Sequence, residues 1–212
     1  MKFKVTFLLD KKNLWIEKYL RNHNFKLKQK YIFKITKNIN TIKNQNIIFP
    51  INYTKILSKS FLQENKLVLI AHASQLPKDK GFAPVQNQIL RKKNKIFISL
   101  IKAESKVDSG PVYIQSHFLL DGTELNDKIR KIQSLQIFKI IERFLIKYPN
   151  IKTRKQIGNS NFNKRRNHKD SELNINKTIK QQFNHLRIND NKLYPSFFYF
   201  KGKKYTIKIF EE

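Results

Sequence analysis

Four short apolar runs early in the chain limit how it can fold. "FKVTFLLD" (Phe3 to Asp10), "YIFKIT" (Tyr31 to Thr36), "NIIFPI" (Asn46 to Ile51) and "KLVLIA" (Lys66 to Ala71) are the length of strands and rich in β-branched and aromatic residues. Between them lie segments with helical spacing. "NLWIEKYLRN" (Asn13 to Asn22) turns Leu14, Trp15, Tyr19 and Leu20 inward, and "KILSKSFLQEN" (Lys55 to Asn65) is the second. Strands alternating with helices build βαβ units, and so an α/β fold around a mostly parallel sheet with flanking helices. Pro50 falls near the end of its strand, where a missing donor is tolerated. No glycine-rich turn follows the first strand, which argues against a dinucleotide or P-loop site.

The later chain continues the pattern. "APVQNQILRKKN" (Ala83 to Asn94) reads as a helix, and "IFISLIKA" (Ile96 to Ala103) and "GPVYIQSHFLL" (Gly110 to Leu120) as strands. "TELNDKIRKIQSLQIFKIIERFLIKYP" (Thr123 to Pro149) reads as a long helix capped by Thr123. Leu125, Ile129, Ile132, Leu135, Ile137, Ile140, Ile141, Phe144 and Leu145 form its apolar face. From Asn150 to Asp170 the sequence is polar and basic, as in a linker or mobile loop. Ser171 to Ile188 contains another helix, and Tyr194 to Phe210 a hairpin turning at Lys201-Gly202-Lys203. The chain divides into a principal domain (1–150), a basic linker (151–170) and a small helix–hairpin extension (171–212).

Composition narrows the classes. Of 212 residues 40% are hydrophobic, with 17 Phe and 8 Tyr, enough for a real core and too many for a disordered chain. With no Cys, disulfides, a thiol nucleophile and thiolate metal sites are excluded. No run is long enough to span a membrane, and the N-terminus lacks a signal-type apolar region, so a cytoplasmic location is expected. The net charge of +29 suits an anionic partner. The lysines are nevertheless spread along the whole chain, and Ile, Asn and Phe are abundant too, so compositional bias is the preferred explanation.

Two ionisable residues sit where strands end: His72 in "HASQLPKDKG" and Asp108 in "KVDSGPVYIQ". They are 36 residues apart, roughly a helix plus a strand, which lets them return to neighbouring strand ends. A carboxylate beside an imidazole orients it for acid–base work, though a loop His and a turn Asp also arise by chance in any α/β protein.

The surroundings of this pair are more specific. "HASQLPKDKGFAPVQNQIL" followed by "VDSGPVYIQSHFLLDGTELNDKIRKIQ" resembles the folate-dependent formyltransferase family, which includes methionyl-tRNA, glycinamide ribonucleotide and sugar N-formyltransferases. Its pattern is Asn-x-His-x-Ser-x-Leu-Pro, a basic residue and Gly, then Asp-x-Gly. His72, Ser74, Leu76, Pro77, Lys80, Gly81, Asp108 and Gly110 match it.

The resemblance implies a Rossmann-like fold, 10-formyltetrahydrofolate as co-substrate, a primary amine as acceptor and no metal. By position His72 would stabilise the oxyanion or shuttle protons. Asp108 would orient His72 and take the amine proton, and Ser74, Pro77, Lys80, Gly81 and Gly110 would shape the supporting loops. Asn52, Tyr53 and Ile56 of "NYTKIL", together with Asp108, would hold the folate, and the C-terminal segment is similar to the extension of the sugar-modifying members. One position departs: the family's Asn two residues before the His is Ile70 here, with Asn52 and Asn87 as candidate substitutes.

Only about 60 residues follow Pro149, too few for the tRNA-docking barrel of the full tRNA-modifying members and a linker. An amino sugar on a nucleotide is therefore the first choice of acceptor, bound with help from Arg165, Arg166, Tyr194 and Phe198. The alternative use of the hairpin aromatics is a small core or a homodimer interface. A tRNA acceptor comes second, and an RNA-binding protein, a formyltetrahydrofolate hydrolase or a non-catalytic relative remain as competing classes.

Overall fold

Five successive residues of β1 (Phe3–Leu9), Val5 to Leu9, are buried, because a parallel strand runs on each side of it. The computed structural model describes residues 2–212. β2 (Tyr31–Thr36) and β3 (Ile47–Ile51) both pair with β1 in parallel. A parallel bridge between Ile48 and Val68 then attaches β4 (Leu69–His72) to β3. A short β5 (Lys80–Gly81) lies in the loop after β4. β6 (Lys95–Lys102) pairs with β4, and β7 (Val112–Leu119) with β6, both antiparallel. The sheet is thus parallel around β1, as the βαβ pattern implies, and antiparallel beyond β4.

The helices α1 (Glu17–Asn22), α2 (Lys59–Glu64) and α3 (Pro84–Leu90) are shorter than the sequence spacing suggests. Leu14 is no helix residue but lies in the turn before α1, 41% exposed, and Ile16 takes the buried place. Trp15 and Tyr19 pack partly and Leu20 fully into the main core. α4 (Asn126–Lys147) buries Ile129, Ile137, Phe138, Ile141, Phe144 and Leu145 at helical spacing, within the same core as β1, β3 and β6. Two details differ from the sequence reading. Ser134 takes the inward position next to Leu135, leaving Leu135 42% exposed. Leu125 stands at the N-cap with no side-chain cap, because Thr123 bonds to the Asp121 carboxylate.

The segment after α4 is docked against the body. Arg154 and Val112 exchange backbone hydrogen bonds, and β8 (Phe162–Asn163) pairs in parallel with β5. A basic, polar sequence does not reveal such pairing, since the bonds are made by backbone and amide groups.

In the extension, α5 (Ile179–Ile188) is capped by Thr178 and Gln181. β9 (Ser196–Phe200) and β10 (Lys203–Ile207) form the expected hairpin. Lys201 and Gly202 both take positive φ, 49° and 76°, as a two-residue hairpin turn following the strand twist requires. Arg187 of α5 is fully buried, bonding Glu124 ahead of α4 and Asn94 ahead of β6, while Ile188 joins the main core.

Candidate active site

The parallel strands β1, β2, β3 and β4 end at one edge, the usual binding crevice of an α/β sheet. Asp10, Lys37, Asn52 and His72 stand at or just beyond those ends. His72 closes β4, and its side chain is only 8% exposed.

β6 is antiparallel to β4, so its last residue, Lys102, pairs with Leu69 and not with His72. The expected meeting of two neighbouring strand ends does not occur in that form. Asp108 instead reaches the imidazole through the loop between β6 and β7. The loop after β4 also lies back on the sheet, where Leu76 packs with Ile70, Ile101 and Val112.

The two loops meet at His72 and Asp108. Asp108 Oδ2 lies 3.5 Å from His72 Nδ1 and accepts a 2.8 Å hydrogen bond from the Gly81 backbone N–H. Among the described residues, Asp108 Oδ1 receives no hydrogen bond and is left for an incoming donor. His72 Nε2 is 2.7 Å from the Asp79 carbonyl oxygen, which only accepts, so this nitrogen carries a proton. Asp79 and Asp108 both have left-handed backbones, φ 59° and 51°, uncommon outside glycine and found disproportionately at functional sites.

A shell of partly buried polar bonds fixes this arrangement. The Asp79 carboxylate accepts from Arg91, Asn161 and Asn163. The Ser74 hydroxyl donates to the Lys78 carbonyl at 2.7 Å, closing its loop, and Pro77 is buried within that loop. Lys80 contributes its backbone N–H to Asn161 O. The matching glycines have backbone reasons. A Cβ on Gly110 would lie 1.8 Å from Lys102 O, and one on Gly81 would lie 2.6 Å from Asn163 O. Gln156, Asn161, Asp79 and Arg91 were not marked by the sequence. Only their spacing to His72 and Asp108 in the folded chain gives them a role.

Other sequence candidates make no hydrogen bond to the pair. Asn52 donates its amide to Asn13 O, and Asn87 donates to Phe82 O and Ala83 O, so both side chains are occupied elsewhere. Ile70 has the apolar neighbours Leu76, Ile101 and Val112 and contributes no side-chain donor. Tyr53 lines a cavity of about 300 Å³ with Asp10, Lys11, Lys37 and Lys55, whereas Ile56 is 78% exposed. Burial and the nearby Asp10 push the Tyr53 hydroxyl above its usual range.

Arg165 lies over Phe82, next to the Gly81 loop. Arg166 is tied to Asp170 O and Asn189, Tyr194 rests against His168, and Phe198 stacks on Tyr205. Those last three serve the extension's own packing. Phe198 also lines an apolar cavity of about 580 Å³ between α5 and the hairpin, which holds neither His72 nor Asp108. Among the described residues no three His, Cys, Asp or Glu are grouped to hold a metal ion, and no helix is long and apolar enough to cross a membrane.

Residues 5–137 match the family model described as "Formyl transferase". The chain belongs to that family. It is 29% identical over 180 residues to a methionyl-tRNA formyltransferase of Fusobacterium nucleatum, covering 81% of this chain but 57% of that protein. The chain therefore spans little more than half the length of that relative. Among solved structures, a methionyl-tRNA formyltransferase from Clostridium thermocellum superposes with a TM-score of 0.80 at 21% identity, over 97% of both chains. A sugar N-formyltransferase from a Shewanella species gives 0.72 at 14% identity, over 99% of this chain and 98% of that one. These likenesses support the Rossmann-like fold of the family.

Proposed function

We propose that this formyltransferase-family chain moves a formyl group from 10-formyltetrahydrofolate to a primary amine, and that the amine belongs to a nucleotide-linked amino sugar. The observation that carries the chemistry is the Asp108 carboxylate. One of its oxygens is held by Gly81 N–H against His72, and the other receives no protein hydrogen bond. That open oxygen suits the N–H of an attacking amine.

The folate supplies a formyl carbon bonded to a nitrogen leaving group. Asp108 Oδ1 accepts a hydrogen bond from the amine and takes its proton as the new C–N bond forms. That proton is carried by the carboxyl group, whose Oδ2 lies 3.5 Å from His72 Nδ1, in a relay that ends on the departing nitrogen. A direct bond from Nε2 to the developing oxyanion would require releasing the Asp79 carbonyl, so the relay needs the least rearrangement. The Asn52–Ile56 loop begins at the end of β3, beside β4, and is where the pterin would lie. Arg165, over Phe82 beside the Gly81 loop, suits the acceptor's phosphates.

The sugar acceptor is supported by the likeness in fold to the Shewanella sugar N-formyltransferase. A methionyl-tRNA acceptor is the second reading. It is favoured by the curated sequence relative and by the Clostridium protein, which matches over the same length. Both enzymes match nearly the whole of this chain, so the extent of the match does not separate the two acceptors. A location in the cytoplasm belongs with either reading.

Tetrahydrofolate release, followed spectrophotometrically with nucleotide amino sugars, with Met-tRNA and with no amine, distinguishes the readings. Release only with an amino sugar supports the proposal, and release only with Met-tRNA transfers it to the second reading. Release without any amine indicates a hydrolase. His72→Ala and Asp108→Ala are each expected to lower release about 10²–10⁴-fold, the usual share of a positioned acid or base. A wild-type rate in either variant removes that residue from the mechanism.

A further inference from the structure

The segment between α4 and β8 makes contacts that the reaction as described does not use. Gln156 Nε2 donates to two carbonyls of the loop that carries the acid, Asp108 O at 2.9 Å and Gly110 O at 2.8 Å. Two residues earlier, Arg154 and Val112 exchange backbone bonds of 2.8 and 2.9 Å at the start of β7. Farther along, Asn161 grips Asp79 twice: its Oδ1 accepts from Asp79 N at 2.9 Å, and its Nδ2 donates to the Asp79 carboxylate at 3.1 Å. Asp79 in turn holds His72 Nε2 through its carbonyl. One stretch of chain thus spans both halves of the pair, Gln156 on the side of the acid and Asn161 on the side of the imidazole.

The Gln156 carboxamide has a further peculiarity. Its Oε1 is buried with no hydrogen-bond partner, the one such side-chain atom among the described residues. Two carbonyls demand an NH₂ group, so the amide cannot turn to satisfy its oxygen without abandoning them. Buried acceptors without partners are rare, and those that persist call for an explanation. Here the structure keeps both donors on the acid's loop and leaves an acceptor unmatched.

We infer that Gln156 is a positioning residue for formyl transfer: it fixes the left-handed turn at Asp108, and through it the separation of the carboxylate from His72. This deepens the formyl-transfer reading and rests on it for its catalytic consequence. Gln156 holds Asp108 only by its backbone carbonyl, makes no hydrogen bond to the carboxylate or the imidazole, and takes no proton. Its effect is to hold the carboxylate within reach of Nδ1 before the amine arrives.

Gln156→Met keeps the length of the side chain and removes both donors. Gln156→Glu keeps its shape and sets an acceptor against two carbonyls. Both are compared with wild type for tetrahydrofolate release and for the ¹⁵N resonances of the His72 ring, one of five imidazoles in the chain, assigned with His72→Ala. The expected result is a fall in kcat of about 10- to 100-fold, as for a misplacement near 1 Å, with the folate KM changed less than about threefold. The His72 ring signals should move in both variants and in the direction produced by Asp108→Asn.

Unmoved ring signals overturn the inference, even if kcat falls, because the loss is then one of general structure. An unchanged kcat in an active enzyme overturns it as well. If the wild type shows no turnover with any amine, the formyl-transfer reading fails. Displaced ring signals would then still establish that Gln156 sets the geometry of the pair. Should Gln156→Glu fold poorly, Gln156→Met decides alone.

Discussion

Ile70 shows how one side chain alters a site whose frame is otherwise intact. It lies two residues before His72 on β4, so the pleat turns both side chains to the same face. The family pattern has an amide donor there, and neither Asn52 nor Asn87 replaces it, because their amides bond elsewhere. In the proposed reaction the developing negative charge would meet one donor fewer than the family pattern supplies. Ile70→Asn is expected to raise kcat about 10- to 100-fold, somewhat less than the 10²–10³ associated with one pre-aligned oxyanion donor. The same change replaces apolar contact with Leu76, Ile101 and Val112, and a loss of about 1–3 kcal/mol in stability is expected. Parallel steady-state kinetics and urea unfolding measure the two effects, and an unaltered or lower kcat in a folded variant would refute the first. His72, Asp108 and this departure were all legible in the sequence because each occupies a place in a spaced motif. Gln156 and Asn161 were not, since an amide in a polar stretch carries no sign of its partners.

At the scale of elements, what joins the extension to the body is a buried ion pair. Arg187 of α5 and Glu124 ahead of α4 have side chains 0% and 4% exposed, with the guanidinium 3.3 Å from the carboxylate. Glu124 also accepts backbone bonds from Asp121 and Gly122, and Arg187 bonds Asn184 and Asn94. Removing one partner leaves a charge in the interior, so Arg187→Met is expected to destabilise the protein by about 3–5 kcal/mol. Adding Glu124→Gln to it should recover part of that loss. Urea denaturation of the single and double variants checks this, and additive losses would count against the pairing. Helical spacing and the Lys201–Gly202 turn made α4 and the hairpin legible. The reversal of direction at β6 was not, because a buried strand looks alike in either orientation. Nor does an Arg in a polar helix announce that it will be the largest fully buried side chain.

For the molecule as a whole, depressed carboxylates link stability to acid, and Asp10 and Asp190 are the more buried of them. Burial pushes Asp10 upward, but hydrogen bonds from the Thr54 hydroxyl, Lys12 N–H and Thr54 N–H, with Lys55 nearby, outweigh it and hold the carboxyl below its ordinary 3.8. Asp190 follows the same rule, with burial opposed by Leu193 and Lys192 N–H groups and by Arg130. A carboxyl whose folded value is depressed contributes stability above its unfolded value and loses it as pH falls through the folded one. Melting temperature is therefore expected to drop as pH is lowered below about 4, and Asp10→Asn should flatten that decline. Equal slopes for wild type and variant between pH 5 and 2 would rule out Asp10 as a contributor.

The bond from Asp79 to Asn161 joins positions 82 residues apart. During synthesis the sheet and α4 emerge first, carrying every buried member of the main core but Ile188 before Asn161 leaves the ribosome. The grip that sets the imidazole thus arrives after the sheet and α4: a nascent chain halted shortly after α4 would lack it.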